Sequence, residues 1–414
     1  MATPADKPTP RAAKPVWLHA LDALTSLKLT IVCLSALMVL VLACTLAQVK
    51  LGTWPAVDRY IRAWVVWGDV PGTQWQVVVF PGGALVGLVL GLNLIVAQWR
   101  RLELSWRKAG LWIVHAGLVL LFVGEFVTGA FQVETNLAVR EGETVNFVDS
   151  PRRLELAVID VTDAAYDDVH GVPESRLRTG ATVALPNTPV ELRVERWFRN
   201  ASFARAGPGE ATPATRGVGV GVAVHELPPV TRDDDRNTSA AFVTPVVGGA
   251  PQGTFLVSNA IGNGQSFEAG GRHYVMGLRS QREYLPFSLR LKDFRHDRYA
   301  GTEIPKNFSS LVTISNPATG ENRDVLIYMN QPLRYAGKAF YQSSFGEGDT
   351  LSILQVVENP GWLIPYVSTV LVTVGLLVHF AITLRRSLRR RAAAEEGAPG
   401  AGREGGAVAQ EALT

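Results

Sequence analysis

The run from Lys108 to Phe131, KAGLWIVHAGLVLLFVGEFVTGAF, combines span-length apolarity with two ionisable residues, His115 and Glu125. A membrane crossing needs about 20 mostly apolar residues, and this run reaches that length despite both polar insertions. Ionisable groups at such depth are costly, so they face a protein interior or a functional cavity. Two readings of His115 follow. It is a neutral imidazole hydrogen-bonded to a neighbouring helix, or it ligates a metal or haem iron, since neutral imidazole is the commonest protein metal ligand. Glu125 lies about 15 Å further along the helix, where it would neutralise a cation, serve a relay or pair with another helix.

His379 is the second candidate. It sits a few residues inside the basic end of the last apolar run, at a depth matching His115 to within about a turn. Two imidazoles at one level would bind one iron from both faces, or each would serve a separate interface. Alternatively, His379 snorkels toward the arginines that follow it. The remaining histidines, His19, His170, His225, His273 and His296, form no short metal motif such as H-E-x-x-H. Those in the long polar region read as solvated or strand-face residues. No Gly-rich phosphate loop, G-x-S-x-G or hydrolytic carboxylate pair is present. The two cysteines, Cys33 and Cys44, are about three helical turns apart on one face, too far for a mutual disulfide. Without C-x-x-C or C-x-x-C-H the chain is neither a thiol reductase nor itself a c-type cytochrome.

The elements that must position these residues are strongly segregated. A formal charge of +3 over 414 residues and a mean hydropathy of +0.13 average over four lipid-length apolar runs, basic joints and one polar region. Residues 1–16 read as a disordered tail; the following apolar run is full span length with no clear cleavage site, which argues against a removed signal peptide. Spans are expected at 27–47, 77–97, 109–131 and 360–384. The outer loop 48–76 carries Trp54, Tyr60, Trp64, Trp67 and Trp75, as expected of a segment lying at the interface. Gly83, Gly87 and Gly91 recur every fourth residue in the second span, a pattern that admits a close helix neighbour. Basic residues flank span one, join spans two and three, and follow span four as Arg385, Arg386, Arg389, Arg390 and Arg391. By the positive-inside rule that side is cytoplasmic, which puts both termini inside and the 132–359 domain outside. Topology explains these charges, so no nucleic-acid partner is implied. Residues 385–414 are expected to be a basic cytoplasmic end and disordered tail.

The 132–359 domain reads as β. Short runs such as Arg153–Val161, Val190–Phe198, Val218–Glu226, His273–Leu278, Phe287–Phe294, Ser309–Ser315 and Leu351–Val357 alternate apolar and polar residues between turn-forming clusters. The fold class is therefore an integral membrane α-helical protein of four spans with a large extracytoplasmic all-β domain, a sandwich or partly closed barrel. Residues 199–215 and 228–240 are expected to be mobile loops.

Several motifs resemble one family. They are Leu24-Thr-Ser-Leu-Lys-Leu-Thr30, His115-Ala-Gly-Leu118, Glu141-Gly-Glu-Thr144, Phe287-Ser-Leu-Arg-Leu-Lys-Asp-Phe294 and Gly301-Thr-Glu-Ile-Pro-Lys-Asn-Phe-Ser309. Met329-Asn-Gln-Pro-Leu333, Tyr335-Ala-Gly337, Tyr341-Gln-Ser343 and Asn359-Pro-Gly-Trp362 continue the series. Their order, with one span, an outer loop, two spans, an outer β domain and a final span, resembles the ResB (also called CcsB) proteins. Residues 165–260 depart most. Trp64-Val-Val-Trp67-Gly-Asp69 hints at the tryptophan-rich haem signature of cytochrome assembly proteins, but the spacing differs and an interfacial belt explains it better.

The resemblance implies a component of the two-protein cytochrome c synthetase. Such proteins pair with a multispan ResC (CcsA) subunit, deliver haem across the cytoplasmic membrane and present it to apocytochrome c. By that resemblance His115 is a haem axial ligand, while His379 matches no family ligand. Haem would be bound transiently and shared with the partner, and the chain would be an accessory subunit without catalytic residues of its own. The competing reading is a membrane-anchored β-domain scaffold that recruits partners without binding haem. A transporter is disfavoured, because four spans show neither internal repeats nor broken helices.

Overall fold

A computed structural model describes residue 15 and residues 21–73, 75–101, 105–207, 209–210, 212–230, 236–262, 264–302, 305–346 and 348–396. The 1–16 and 397–414 segments therefore lie almost wholly outside the described residues. The chain forms two compact units, Met1–Ala130 with Pro360–Thr414, and Phe131–Asn359.

The first unit is helical. Helix α1 (Leu27–Leu51) starts at Ser26, whose hydroxyl accepts from the Lys28 amide at 3.2 Å, and ends at Gly52, whose N–H donates to the Gln48 carbonyl and whose positive φ turns the chain out of the helix. A short helix α2 (Thr53–Val57) and a π-turn (Asp58–Arg62) lead into an antiparallel hairpin, β1 (Val65–Asp69) with β2 (Gln76–Pro81). The second span is therefore shorter than the sequence indicates. Residues 77–81, expected to be helical, are a strand, because the β-branched run Val77-Val78-Val79 pairs across to β1 and Pro81-Gly82 breaks the chain before α3 (Gly83–Arg101).

Helix α3 packs on α1 through Cys33, Leu40, Val86 and Leu90, with both cysteines buried and free. Asn93, 3% exposed, accepts from Thr30 Oγ1 at 2.7 Å and donates to the Leu24 and Ser26 carbonyls, so one amide holds the start of α1. Among the described residues the expected close approach at Gly87 and Gly91 is not made: a Cβ at either would meet nothing within 4 Å.

Helices α4 (Ala109–Phe131) and α5 (Ile364–Glu396) complete the unit. The α5 helix runs through the arginine cluster to Glu396, past the expected span end at 384, because Arg, Leu and Ala all favour helix. All four long helices are long and apolar enough to cross a membrane.

The second unit is antiparallel β. Its large sheet runs in the order Glu321–Tyr328, Pro305–Asn316, Arg272–Arg298, Thr144–Asp160, Val133–Arg140, Leu351–Glu358, Lys338–Gly346 and Leu333–Tyr335, with Gln265–Ala269 and Asp168–Pro173 paired alongside. Its end strands approach through a Tyr328–Gln331 bridge and the Tyr335 hydroxyl, which donates to Glu321 at 2.8 Å; the sheet is nearly closed into a barrel. A five-stranded sheet centred on Val190–Phe198 and Ala240–Val247 packs Leu192, Val194 and Val243 against Leu156, Tyr274 and Met276 of the large sheet. Of the expected mobile loops, 199–215 contains a strand, Ala201–Arg205, paired with Val222–Glu226. Residues 231–235 of the other lie outside the described set.

Candidate functional site

Helices α4 and α5 meet along a glycine seam. Gly110, Gly117 and Gly124 recur every seven residues, two helical turns, so they line one face of α4. A Cβ at Gly110 would lie 2.5 Å from the His379 nitrogen, one at Gly117 2.8 Å from Val372 Cγ2, and one at Gly124 2.6 Å from Ile364 Cγ2. From α5, Gly375 answers with a Cβ position 2.7 Å from the Val114 nitrogen. Ser368 Oγ donates to the Gly117 carbonyl at 2.6 Å, a hydrogen bond that close backbone approach makes possible.

This seam orients both candidate histidines. His115 lies five residues beyond Gly110, roughly 140° around the helix, and so turns away from α5. Its Nδ1 is 2.7 Å from the Leu111 carbonyl. A carbonyl only accepts, so Nδ1 carries the proton and Nε2 keeps its lone pair for an electrophile. That is the arrangement of a metal-binding imidazole whose other nitrogen is anchored. The backbone of His379 lies instead against Gly110, and its Nδ1 is buried with no hydrogen-bond partner among the described residues. The structure therefore does not bring the two imidazoles to one iron from opposite faces. Gly110, which meets the His379 backbone, precedes His115 by five residues, about 7.5 Å along the axis, and lies on a different side of α4. Glu125 is exposed in the C-terminal half of α4.

In the β unit no motif singles out His296, yet the fold builds a site around it. Its side chain is 4% exposed, Nδ1 is 3.1 Å from Asp349 Oδ1, and Nε2 is buried with no partner among the described residues. Phe308 and Phe345 flank the ring at 4.6 and 4.5 Å. The pair is separated by 53 residues, so no local signal reveals it. Asp349 also holds the positive-φ position of its turn and lies 3.4 Å from Arg298 Nη2. Among the described residues no three His, Cys, Asp or Glu side chains converge as a metal site.

Acidic residues of Thr144–Asp160 face arginines of the long strand: Asp149 with Arg282 at 3.1 Å, Glu155 with Arg279 at 3.0 Å and Asp160 with Arg272 at 2.9 Å. The Thr162 hydrogen bond, and then Arg272, hold the Asp160 carboxyl below the usual range. Burial pushes Asp149 up against the opposing pull of Arg282. These pairs staple strands and have the geometry of structural ion pairs.

Four apolar helices, one carrying a free-Nε2 imidazole, and an antiparallel β unit define the class of protein. Residues 221–353 match the ResB-like family, so the resemblance drawn from the motifs is shown for that stretch. The match contains the motifs from Phe287 to Ser343 and begins inside the 165–260 stretch that departs most. Protein NrfI of Wolinella succinogenes is a homologue, 36% identical over 93 residues. Those residues are 22% of this chain and 10% of NrfI, so the chain matches about a tenth of that relative's length.

Proposed function

We propose that this chain serves cytochrome c biogenesis as a membrane subunit that helps carry haem across the cytoplasmic membrane to apocytochrome c. The ResB-like match and the NrfI homology support the biogenesis role. The observation that carries the haem role is the Nδ1–Leu111 hydrogen bond, which leaves His115 Nε2 available at membrane depth. The four helices insert with both termini cytoplasmic, and the β unit lies outside, in line with the arginine-rich joints.

In this reading His115 is an axial ligand to the iron of the transported haem, on a face of α4 turned away from α5. A multispan ResC/CcsA-type partner covers that face and supplies the remaining contacts, and the chain acts as an accessory subunit of the attaching complex. His379 is a weaker candidate, because its backbone lies against Gly110 in the α4–α5 seam and its Nδ1 is buried.

The test is haem content. The complex of this chain with its multispan partner is purified and haem is quantified as the pyridine haemochrome, with c-type cytochromes scored in the same cells. Stoichiometric haem that falls at least tenfold in His115→Ala, with lost cytochrome maturation, supports the role. Haem-free complex and normal maturation after that substitution would leave an anchored scaffold.

A further inference from the structure

The first unit contains a groove of about 280 Å³ between α1 and the β1–β2 hairpin. Val39, Leu40 and Ala43 of α1 form one wall, Val79 and Phe80 of β2 the other, and Arg59 and Tyr60 of the π-turn lie along it. The walls are apolar, while Arg59, Tyr60 and Trp67 bring polar tips on apolar bodies, as side chains at a membrane–water boundary do. The volume lies at the lower edge of the roughly 300–1,000 Å³ of small-molecule pockets, room for a stretch of one acyl chain.

The charges beside the groove come in both signs. Arg59 Nη2 donates to the Trp67 carbonyl at 2.8 Å and lies 3.9 Å from Asp69 Oδ2. Its guanidinium keeps further donors, and the side chain is 38% exposed. Asp69, 69% exposed, accepts from Gln76 Nε2 at 2.8 Å through its other oxygen. The next ion pair along the turn, Arg62 with Asp58 at 3.4 Å, is also balanced. A net-neutral rim with a cation and an anion side by side complements a head group that itself carries both charges. A purely anionic head would gain Arg59 but meet Asp69.

We propose that this groove seats one acyl chain of a phospholipid with an ammonium head group, its phosphate on Arg59 and its ammonium on Asp69. The proposal rests on the membrane placement given above, and resistance of the chain to alkaline extraction from membranes tests that placement separately. Full-length protein in detergent is titrated with dioleoyl phosphatidylethanolamine or dioleoyl phosphatidylglycerol and read by native mass spectrometry. One phosphatidylethanolamine per chain is expected, bound about tenfold more tightly than phosphatidylglycerol, the order set by one charge-assisted hydrogen bond. Ala43→Phe, which fills the groove, abolishes that binding, and Arg59→Gln weakens it by a similar factor. Circular dichroism establishes that each variant is folded; should Ala43→Phe fail to fold, Arg59→Gln decides. Equal affinity for the two lipids, or unchanged affinity in a folded variant, overturns the proposal.

Discussion

Gly110 leaves the backbone of α4 in direct contact with α5 at His379, where a Cβ would lie 2.5 Å from the His379 nitrogen and 2.6 Å from the Gly375 carbonyl oxygen. Backbone atoms cannot swing aside as a side-chain tip can, so any added carbon must part the helices. Gly110→Ala is expected to destabilise the pair by about 1–3 kcal/mol, the usual cost of overpacking. Gly129→Ala, on the same helix with nothing within 4 Å of its Cβ, is expected to be neutral or stabilising by up to about 1 kcal/mol. Thermal midpoints of the two variants in detergent make the comparison. Equal behaviour would mean that the seam does not hold the helices.

Asn93 satisfies both halves of its amide at the start of α1, through Thr30 Oγ1 and the Leu24 and Ser26 carbonyls. Asn93→Leu keeps the branched skeleton and loses every one of these bonds. Hydrogen bonds between membrane helices contribute about 0.6–2 kcal/mol, so the variant is expected to lower the unfolding midpoint modestly. Thr30→Val, which removes the Oγ1 contacts to Asn93 and the Ser26 carbonyl but leaves the two bonds that the Asn93 amide donates, should fall between it and the wild type; the ordering of the three midpoints is the check.

Ser310 and Ser352 are fully buried in the β unit and share one network with Gln342, with Ser310 Oγ 2.6 Å from Gln342 Oε1 and 2.8 Å from Ser352 Oγ. Ser310→Ala leaves two partners short of a bond in the interior. A loss of about 1–3 kcal/mol is expected in urea unfolding of the full-length protein. Ser315→Ala on the same strand, away from the network, serves as the reference.

Acid should loosen the Thr144–Asp160 and Arg272–Arg298 pairing at one end. The Asp160 carboxyl titrates below its ordinary value because Thr162 and Arg272 hydrogen-bond its charged form. A depressed carboxylate contributes stability that is fully present above its unfolded pKa, about 3.9, and is lost as pH falls through the lower folded value. Stability measured from pH 6 downward is therefore expected to decline below about pH 4. Asp160→Asn should begin lower at pH 6 and show a shallower acid decline. An unchanged slope in the variant would remove Asp160 from the explanation.

Strand positions were legible where one face is wet. Val190–Phe198 alternates buried and exposed residues, and its sequence run coincides with the strand. Ala240–Val247 is buried almost throughout, between two neighbours, and includes Pro245, so it offers no period of two and was missed. The long strand Arg272–Arg298 read as two runs because Pro286 interrupts it, and the pairing indeed shifts register between Tyr284 and Leu289.

In the helical unit, span-length apolarity marked the helices, but composition could not separate a β-branched hairpin strand at 77–81 from the helix that follows. His115 stood out as an imidazole in an apolar run. Its free Nε2 was not legible, because that depends on the hydrogen bond to Leu111. The every-fourth glycines of the second span drew the eye, whereas the seam that forms uses a spacing of seven and a partner helix more than 230 residues away in sequence, a relation only the fold supplies.

The most direct measurement is the absorption spectrum of the complex of this chain with its multispan partner, carrying His115→Gly, with and without added imidazole. The cavity left by the side chain admits the free base, so the expected result is a Soret band lost in the variant and restored, with the wild-type position, by imidazole. A full Soret band in the variant without imidazole would contradict the assignment of His115 as the iron ligand.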